Sequence, residues 1–449
     1  MNTKIKFKPQ YHVEAQNVID ELKNYMLIDG FDMVLDLENS PNLYFKDRRT
    51  GKQFADFFTC FASMPIGLNH PKLLDENFIR HIGSIAVNKP SNSDIYTEEM
   101  ATFVKTFHKI AVPRQFKHSF YISGGALAVE NALKAAFDWK VRKNFRKGYK
   151  EEKGTQIIHF RQAFHGRSGY TLSITNTDPN KTNYYPKFDW PRITNPKINF
   201  PLTKDNLSKV IELEKQAVNE IKNAFKENKD DIAAIIIEPI QGEGGDNHFR
   251  PEFMQSLREL ANENDALLIF DEIQTGVGAT GTMWAFEQSG VTPDILVFGK
   301  KMQVCGIIAT ARIDEEPDNV FHVSSRINST WGGSLVDMVR ATRYLEIIQE
   351  EQLLENVKKV GKILLEKINS LQLEYPDYIS NVRGKGFFCA FDVRETEIRN
   401  KLREKCFKEG LLILPCGDKS LRFRPPLNLS EEKLNEGFDI IINSAKKVF

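Results

Sequence analysis

Little in this sequence points toward a membrane or a charged polymer. No stretch approaches the ~20 uninterrupted apolar residues that a membrane-spanning helix needs; runs such as 233–237 are only strand-length. No charge excess exists either. Lys plus Arg total 61 against 60 for Asp plus Glu, a formal net charge of +1. That balance excludes a nucleic-acid binder driven by bulk charge. Cysteine is scarce, with five residues at 60, 305, 389, 406 and 416. An odd count at such wide spacing fits neither a disulfide framework nor a zinc site. Free thiols in a reducing cytoplasm are the expectation. The opening MNTKIKFKPQYH has no apolar core, so no signal peptide is expected. No repeat or low-complexity tract stands out. What remains is an ordinary globular composition, 41% hydrophobic and 27% charged over 449 residues. That length suits one large α/β domain with a satellite.

From about residue 116, short β-rich runs alternate with longer amphipathic ones. The strand-like runs are 120–122, 156–160, 233–237, 266–270 and 295–298. Helices are predicted at 126–145, where Val129, Leu133, Ala136 and Phe137 share a face, and at 251–262. Such alternation means βαβ units and a mostly parallel sheet. After Trp331-Gly332-Gly333 the pattern becomes α+β. Long helices are predicted at 334–349 and 353–371, strands within 382–393 and a last helix at 431–449. Three parts follow: an N-terminal segment (1–85) packing with the small domain, a large domain (86–334) and a small C-terminal domain (335–449).

Three strand ends carry candidate chemistry. Ser123-Gly124-Gly125-Ala126 follows a strand and opens a helix, where free N–H groups and the helix dipole favour a phosphate. Alone, it also reads as a tight strand-to-helix turn. Ile269-Phe270 runs into Asp271-Glu272, at the strand end where open α/β sheets bind ligands. An isolated Asp there reads equally as a helix cap. The run 295–298 ends in Gly299-Lys300-Lys301. A desolvated lysine has a lowered pKa and condenses with carbonyls, whereas a solvated Lys pair does nothing. Together, a phosphate cradle, an acid and a lysine in one sheet are what pyridoxal 5'-phosphate needs: an amine for its aldehyde and a carboxylate for its ring nitrogen.

With those residues in view, the chain resembles the class III (omega) aminotransferases of the type I pyridoxal-phosphate fold. The resemblance runs from Gly67-Leu68-Asn69-His70-Pro71 to Arg422-Phe423-Arg424-Pro425-Pro426-Leu427. It includes Phe164-His165-Gly166, the stretch Ile237-Glu238-Pro239 to Gly245, Asp271-Glu272-Ile273-Gln274, Phe298-Gly299-Lys300 and Ser329-Thr330-Trp331-Gly332-Gly333. Many members carry an arginine in the run after the glutamine. Here the run reads Gly276-Val277-Gly278-Ala279-Thr280-Gly281, a form similar to the L-lysine 6-aminotransferases.

The resemblance implies a homodimer that moves the ε-amino group of L-lysine to 2-oxoglutarate. It implies Lys300 as the cofactor-binding lysine and proton carrier, and Asp271 at the ring nitrogen. Phe164 is expected on the ring, Gln274 near its hydroxyl and the substrate, and Glu238 in the cofactor site. Gly125 and Ala126, with Thr330 of the partner subunit, are expected at the phosphate. For the substrates it implies Arg167 on the distal carboxylate, Arg422 on the α-carboxylate of glutamate, and Glu243 masking Arg422 when lysine is bound. Arg424 is the rival for the Arg422 role. Ornithine or 4-aminobutyrate as amino donor, a racemase or mutase of the same fold, and a binding protein without turnover remain alternatives. No metal is expected.

Overall fold

The computed structural model describes residues 7–449, so the reading of residues 1–6, including the first part of the expected N-terminal segment, lies outside the described residues. In chain order the strands are β1 (Tyr44–Lys46), β2 (Gln53–Asp56), β3 (Phe116–Ile122), β4 (Gln156–Phe160), β5 (Arg192–Ile193), β6 (Ile232–Ile237), β7 (Ile240–Gln241), β8 (Asn247–His248), β9 (Leu267–Asp271), β10 (Ile295–Phe298), β11 (Cys305–Thr310), β12 (Ile379–Lys385), β13 (Phe388–Val393), β14 (Leu411–Leu412), β15 (Leu414–Cys416) and β16 (Ser420–Phe423).

A seven-stranded sheet in the order β3-β11-β10-β9-β6-β4-β5 forms the frame. It is parallel except for β11, which runs antiparallel to both β10 and β3. That reversal is forced by chain length. The few residues between β10 and β11 cannot hold the dozen or more that a parallel crossover requires. Lys300 therefore sits in the connection of a hairpin.

Every residue of β6, β9 and β10 is buried, as expected of a parallel sheet covered on both faces. Alternate side chains supply the two faces. Ile235, Phe270 and Phe298 join one core with Phe253 and Leu257, from the helix Pro251–Glu263. Ile236, Ile269 and Val297 join another with Val129 and Trp139, from the helix Gly125–Arg146.

The C-terminal part is a four-stranded sheet, β12-β13-β16-β15, covered by the helices Leu353–Glu374, Thr396–Glu409 and Glu431–Val448. The N-terminal strands join it, because β2 pairs in parallel with β14. The helix Leu335–Glu350 packs on Glu98–Ile110 and Glu76–Ala86. Hydroxyl caps start several helices: Thr97, Thr203 and Ser430 accept from the N–H groups of Met100, Asn206 and Lys433. Four longer helices the periodicity did not suggest are present: Glu76–Ala86, Glu98–Ile110, Lys204–Glu227 and Thr396–Glu409. Among the described residues no helix is long and apolar enough to cross a membrane.

Candidate active site

Five strands of the large sheet, β3, β10, β9, β6 and β4, deliver their chemistry to one edge. Asp271 ends β9, and it lies opposite Val297 of β10, whose continuation carries Lys300. Glu238 follows β6, and Phe164 and His165 follow β4. On the far side, Ile122 of β3 pairs with Cys305 of β11, so the Gly124-Gly125 turn opens at the same edge. Parallel strands with helical crossovers put all these carboxyl ends together.

The acids are held rigidly. Asp271 is 4% exposed. Its Oδ2 lies 2.8 Å from His165 Nδ1, and its Oδ1 accepts from Ile273 N–H at 3.1 Å. The His165 ring is itself buried, and its Nε2 has no hydrogen-bond partner. Glu238 braces the backbone: its oxygens accept from the N–H groups of Phe164 and Gly242, each at 3.0 Å. Burial pushes its carboxyl up to about 7. Both of its oxygens serve the chain, which keeps the Phe164 and Gly242 turns apart at a fixed distance.

Lys300 differs sharply from Lys301. Lys301 is buried and donates to the Gln274 carbonyl at 3.1 Å. Solvent reaches part of Lys300, whose Nζ donates to the Phe61 carbonyl at 2.9 Å. Protein still surrounds it closely: desolvation, then the Arg422 guanidinium, push its amine down to about 8.

The Phe61 carbonyl comes from a left-handed turn. Thr59, Cys60, Phe61 and Ala62 have φ of 42, 50, 62 and 62°. For residues with a Cβ this costs about 1–2 kcal/mol each, and outliers of this kind cluster at functional sites. Asp56 Oδ1 holds the turn by accepting from the N–H groups of Phe58 and Thr59, and Thr59 Oγ1 donates to the Arg424 carbonyl. Gln303 ties it to the lysine loop by donating to the carbonyls of Ser63 and Lys300.

Arg422 of β16 and Arg424 just beyond it have different surroundings. Arg424 is saturated. It grips Asp246 through both carboxylate oxygens at 2.9 and 2.6 Å, donates to Gln274 Oε1 and stacks 3.4 Å from the Phe388 ring centroid. Arg422, 2% exposed, is not saturated. It donates one hydrogen bond to Glu243 Oε2 at 2.7 Å and a long one to Gln274 Oε1 at 3.3 Å, while its buried Nε has no partner. Gln274 reaches both because Gly242 leaves it room; a Cβ there would meet the Gln274 amide at 2.5 Å. Desolvation raises the Glu243 carboxyl, but Arg422 and Lys181 outweigh it and hold it at about 2. Removing Asp246 should expose the contrast. Asp246→Ala leaves Arg424 charged, buried and unpaired, at a cost of about 3–5 kcal/mol. A thermal melt should fall by several degrees; an unchanged midpoint would mean that Gln274 and Phe388 suffice to hold Arg424.

Of the remaining expected residues, Arg167 is exposed and makes no side-chain hydrogen bond or ion pair among the described residues. Thr330 is exposed, with its carbonyl accepting from the Ser91 and Ser93 hydroxyls. Gly125 and Ala126 begin a helix whose cap residue, Gly124, has φ 100° and offers no side-chain acceptor, so the first N–H groups have no cap. Gly166 lies against Ala126 so closely that a Cβ would fall 2.6 Å from the Ala126 methyl. An uncapped helix start, an amine held near pKa 8 and a buried carboxylate on one sheet edge fit the phosphate, aldehyde and ring nitrogen of pyridoxal phosphate. The roles of His165, Phe61, Asp246 and Lys181 were not anticipated from sequence.

Comparison with known proteins agrees. The model of the class-III aminotransferases matches residues 29–444, and the chain belongs to this family, whose cofactor is pyridoxal phosphate. It is 49% identical over 419 residues to an L-lysine-epsilon aminotransferase of Mycobacterium tuberculosis, covering 93% of each chain. To the enzyme of that name from Streptomyces clavuligerus it is 45% identical, covering 97% of this chain and 96% of the other. A solved structure of the lysine aminotransferase from M. tuberculosis superposes with a TM-score of 0.95 at 47% identity, covering 97% of this chain and all of that one.

Proposed function

We propose that this chain moves the ε-amino group of L-lysine to 2-oxoglutarate, giving 2-aminoadipate 6-semialdehyde and L-glutamate. Relatives bearing that activity in their names, at 45–49% identity over most of the chain, support the lysine part. The observation that carries the two-substrate part is Arg422: buried, incompletely paired, and facing an acid on a glycine-flanked run.

Lysine presents a bare ε-amine with its carboxylate far away, while glutamate presents an amine beside a carboxylate. One site must therefore hide and show a positive charge. With Glu243 on Arg422 the charge is covered for lysine. With Glu243 displaced, Arg422 can take the α-carboxylate of glutamate or 2-oxoglutarate. Arg167, unpaired and exposed, is free to hold the distal carboxylate of either. Pyridoxal phosphate, when bound, supplies the aldehyde that carries the amino group between substrates and the ring that accepts electrons from the substrate carbon. In this reading Gly125 and Ala126, with Thr330 of the partner subunit, hold its phosphate. Phe164 packs on its ring, Asp271 meets the ring nitrogen and Gln274 lies at the ring hydroxyl side. Glu238 supports the site through the Phe164 and Gly242 amides. Lys300 Nζ would take the proton from the substrate carbon bearing nitrogen and return it two atoms along, on the far side of that nitrogen. The reading includes a homodimer, the division at 85 and 334, and a reducing, cytoplasmic setting for five free thiols.

The test follows glutamate formation with lysine, ornithine and 4-aminobutyrate in parallel; lysine should be the preferred donor. Glu243→Ala sharpens it. Leaving Arg422 unmasked should cost the lysine half-reaction two or more powers of ten, on the order of 3 kcal/mol. The glutamate half-reaction should hold its rate. Single-turnover traces of the cofactor spectrum separate the two. An equal slowing of both would reduce Glu243 to a support.

A further inference from the structure

Glu243 is held by two cations. Arg422 Nη2 reaches its Oε2 and Lys181 Nζ its Oε1, each at 2.7 Å. They come from separate parts of the chain: Arg422 from β16, Lys181 from the one-turn helix Pro179–Thr182. Asp178 accepts from Asn180 N–H and Pro179 fixes the first position, so the turn that carries Lys181 is well defined. The Lys181 ammonium also stands 5.5 Å from the Phe164 ring centroid. Arg422 is almost fully buried, whereas the side chains of Lys181 and Glu243 are 25% and 27% exposed. The carboxylate thus bridges a buried cation and one nearer to water.

Resting on the gate reading above, we propose that Lys181 is a positioning residue: the second dock that keeps Glu243 paired when a substrate α-carboxylate takes Arg422 from it. A carboxylate leaving a buried guanidinium needs somewhere to put its charge. Oε1 is already on Lys181, so displacement breaks one ion pair and keeps the other. Lys181 also limits how tightly the gate shuts, because with Oε1 engaged only one oxygen serves Arg422, and Arg422 Nε stays unpaired. Without Lys181, Glu243 can turn both oxygens to Arg422 in a bidentate pair, and the displaced carboxylate has no cation to receive it. Both changes disfavour the displaced arrangement. The covered arrangement, which lysine uses, keeps Arg422 and is little changed. Lys181 therefore sets the balance between the two substrates in favour of the dicarboxylate.

The experiment uses the holoenzyme and the variants Lys181→Met, Lys181→Arg, Glu243→Ala and the double variant Lys181→Met/Glu243→Ala. Each half-reaction is followed by stopped-flow spectroscopy. Binding of glutarate, a dicarboxylate without an amine, is measured by calorimetry. Lys181→Met should weaken glutarate about five- to tenfold and raise the apparent KM for 2-oxoglutarate equally, with its maximal rate kept. The partial exposure of the pair limits the effect to that size. The lysine half-reaction should stay within about twofold, and Lys181→Arg should restore glutarate binding. In the Glu243→Ala background, Lys181→Met should change nothing. If it weakens glutarate equally there, Lys181 touches the dicarboxylate itself and the proposal is overturned. A parallel loss in both half-reactions of Lys181→Met overturns it too. Failure of the gate reading is seen separately, in Glu243→Ala alone slowing both half-reactions.

Discussion

Replacing Lys300 by alanine is expected to give a folded protein that lacks the visible absorbance of a lysine-bound cofactor and turns over at least a thousandfold more slowly. The fold should survive because Lys300 contributes one side-chain hydrogen bond, to the Phe61 carbonyl, and alanine tolerates the φ of 50° no worse. Turnover should not survive. Proton transfer by a positioned group is worth roughly 10²–10⁴, and loss of the amine also removes the cofactor's covalent anchor. The low pKa supports the assignment. An ordinary lysine is protonated far above neutrality, whereas desolvation and Arg422 bring this amine to about 8. Only the neutral amine attacks a carbonyl. Uptake of pyridoxal phosphate by cofactor-free protein should therefore speed up as pH rises toward about 8 and level off above it. The ion-paired Glu243, at about 2, stays charged throughout that range. The control is Lys301→Ala, whose amine points to the Gln274 carbonyl. It should keep the absorbance band, and an exchange of phenotypes between the two variants would move the catalytic role to Lys301.

The Phe61 carbonyl accepts a hydrogen bond from this lysine. The turn that presents it could not be read from Thr59-Cys60-Phe61-Ala62, because no glycine or asparagine marks a left-handed conformation there. Its stability comes from Asp56, Arg424 and Gln303, residues that only the folded chain brings together. The same holds for Lys181, which in a polar loop looks like any solvated lysine. By contrast, the strand-end placement of Asp271 and Lys300 was legible, because each follows an apolar run and the set of strand-end groups, rather than either residue alone, singled them out. Arg422 and Arg424 are two residues apart; motif alignment favours Arg422, but the residues themselves do not distinguish the two. Their partners do: Asp246 saturates one, and Glu243 leaves the other incomplete.

The frame was legible to the same degree and for similar reasons. Buried parallel strands are short runs dominated by apolar, β-branched or aromatic residues, so 156–160 and 295–298 matched their strands to the residue. The helix Lys204–Glu227 was not seen because its buried stripe contains Glu214 and the small residues Ala217 and Ala224. In Thr396–Glu409 the buried positions are Arg399, Leu402 and Cys406, too few apolar side chains to make a periodic signal. Strand β11 was missed although the short connection after β10 makes an antiparallel return the natural outcome.

Asp271→Asn is expected to retain the fold and bind the cofactor while slowing turnover by two to three powers of ten. Asparagine has the same shape, and its oxygen can still accept from Ile273 N–H, which Asp271 Oδ1 does at 3.1 Å. What it cannot supply is the negative charge. Asp271 is 4% exposed, so its charge acts with little screening by water. Preorganised charge in such a site is worth far more than in solution, and losing one group of this kind typically costs 10²–10³ in rate. His165 adds a second consequence. Its Nδ1 faces Asp271 Oδ2 at 2.8 Å, and its buried Nε2 has no partner. The histidine thus fixes the carboxylate's orientation and depends on it in return. Exchanging the carboxylate for an amide lets the amide N–H₂ face the ring, which forces the imidazole to turn or to change the nitrogen that carries its proton. The His165 ring resonances in an NMR spectrum should move in Asp271→Asn, even in cofactor-free protein. His165→Asn, which keeps a donor near Oδ2, should lose less activity than Asp271→Asn. Near-normal turnover in Asp271→Asn would remove this carboxylate from the role. A larger loss in His165→Asn would shift the essential charge from the strand end to the imidazole.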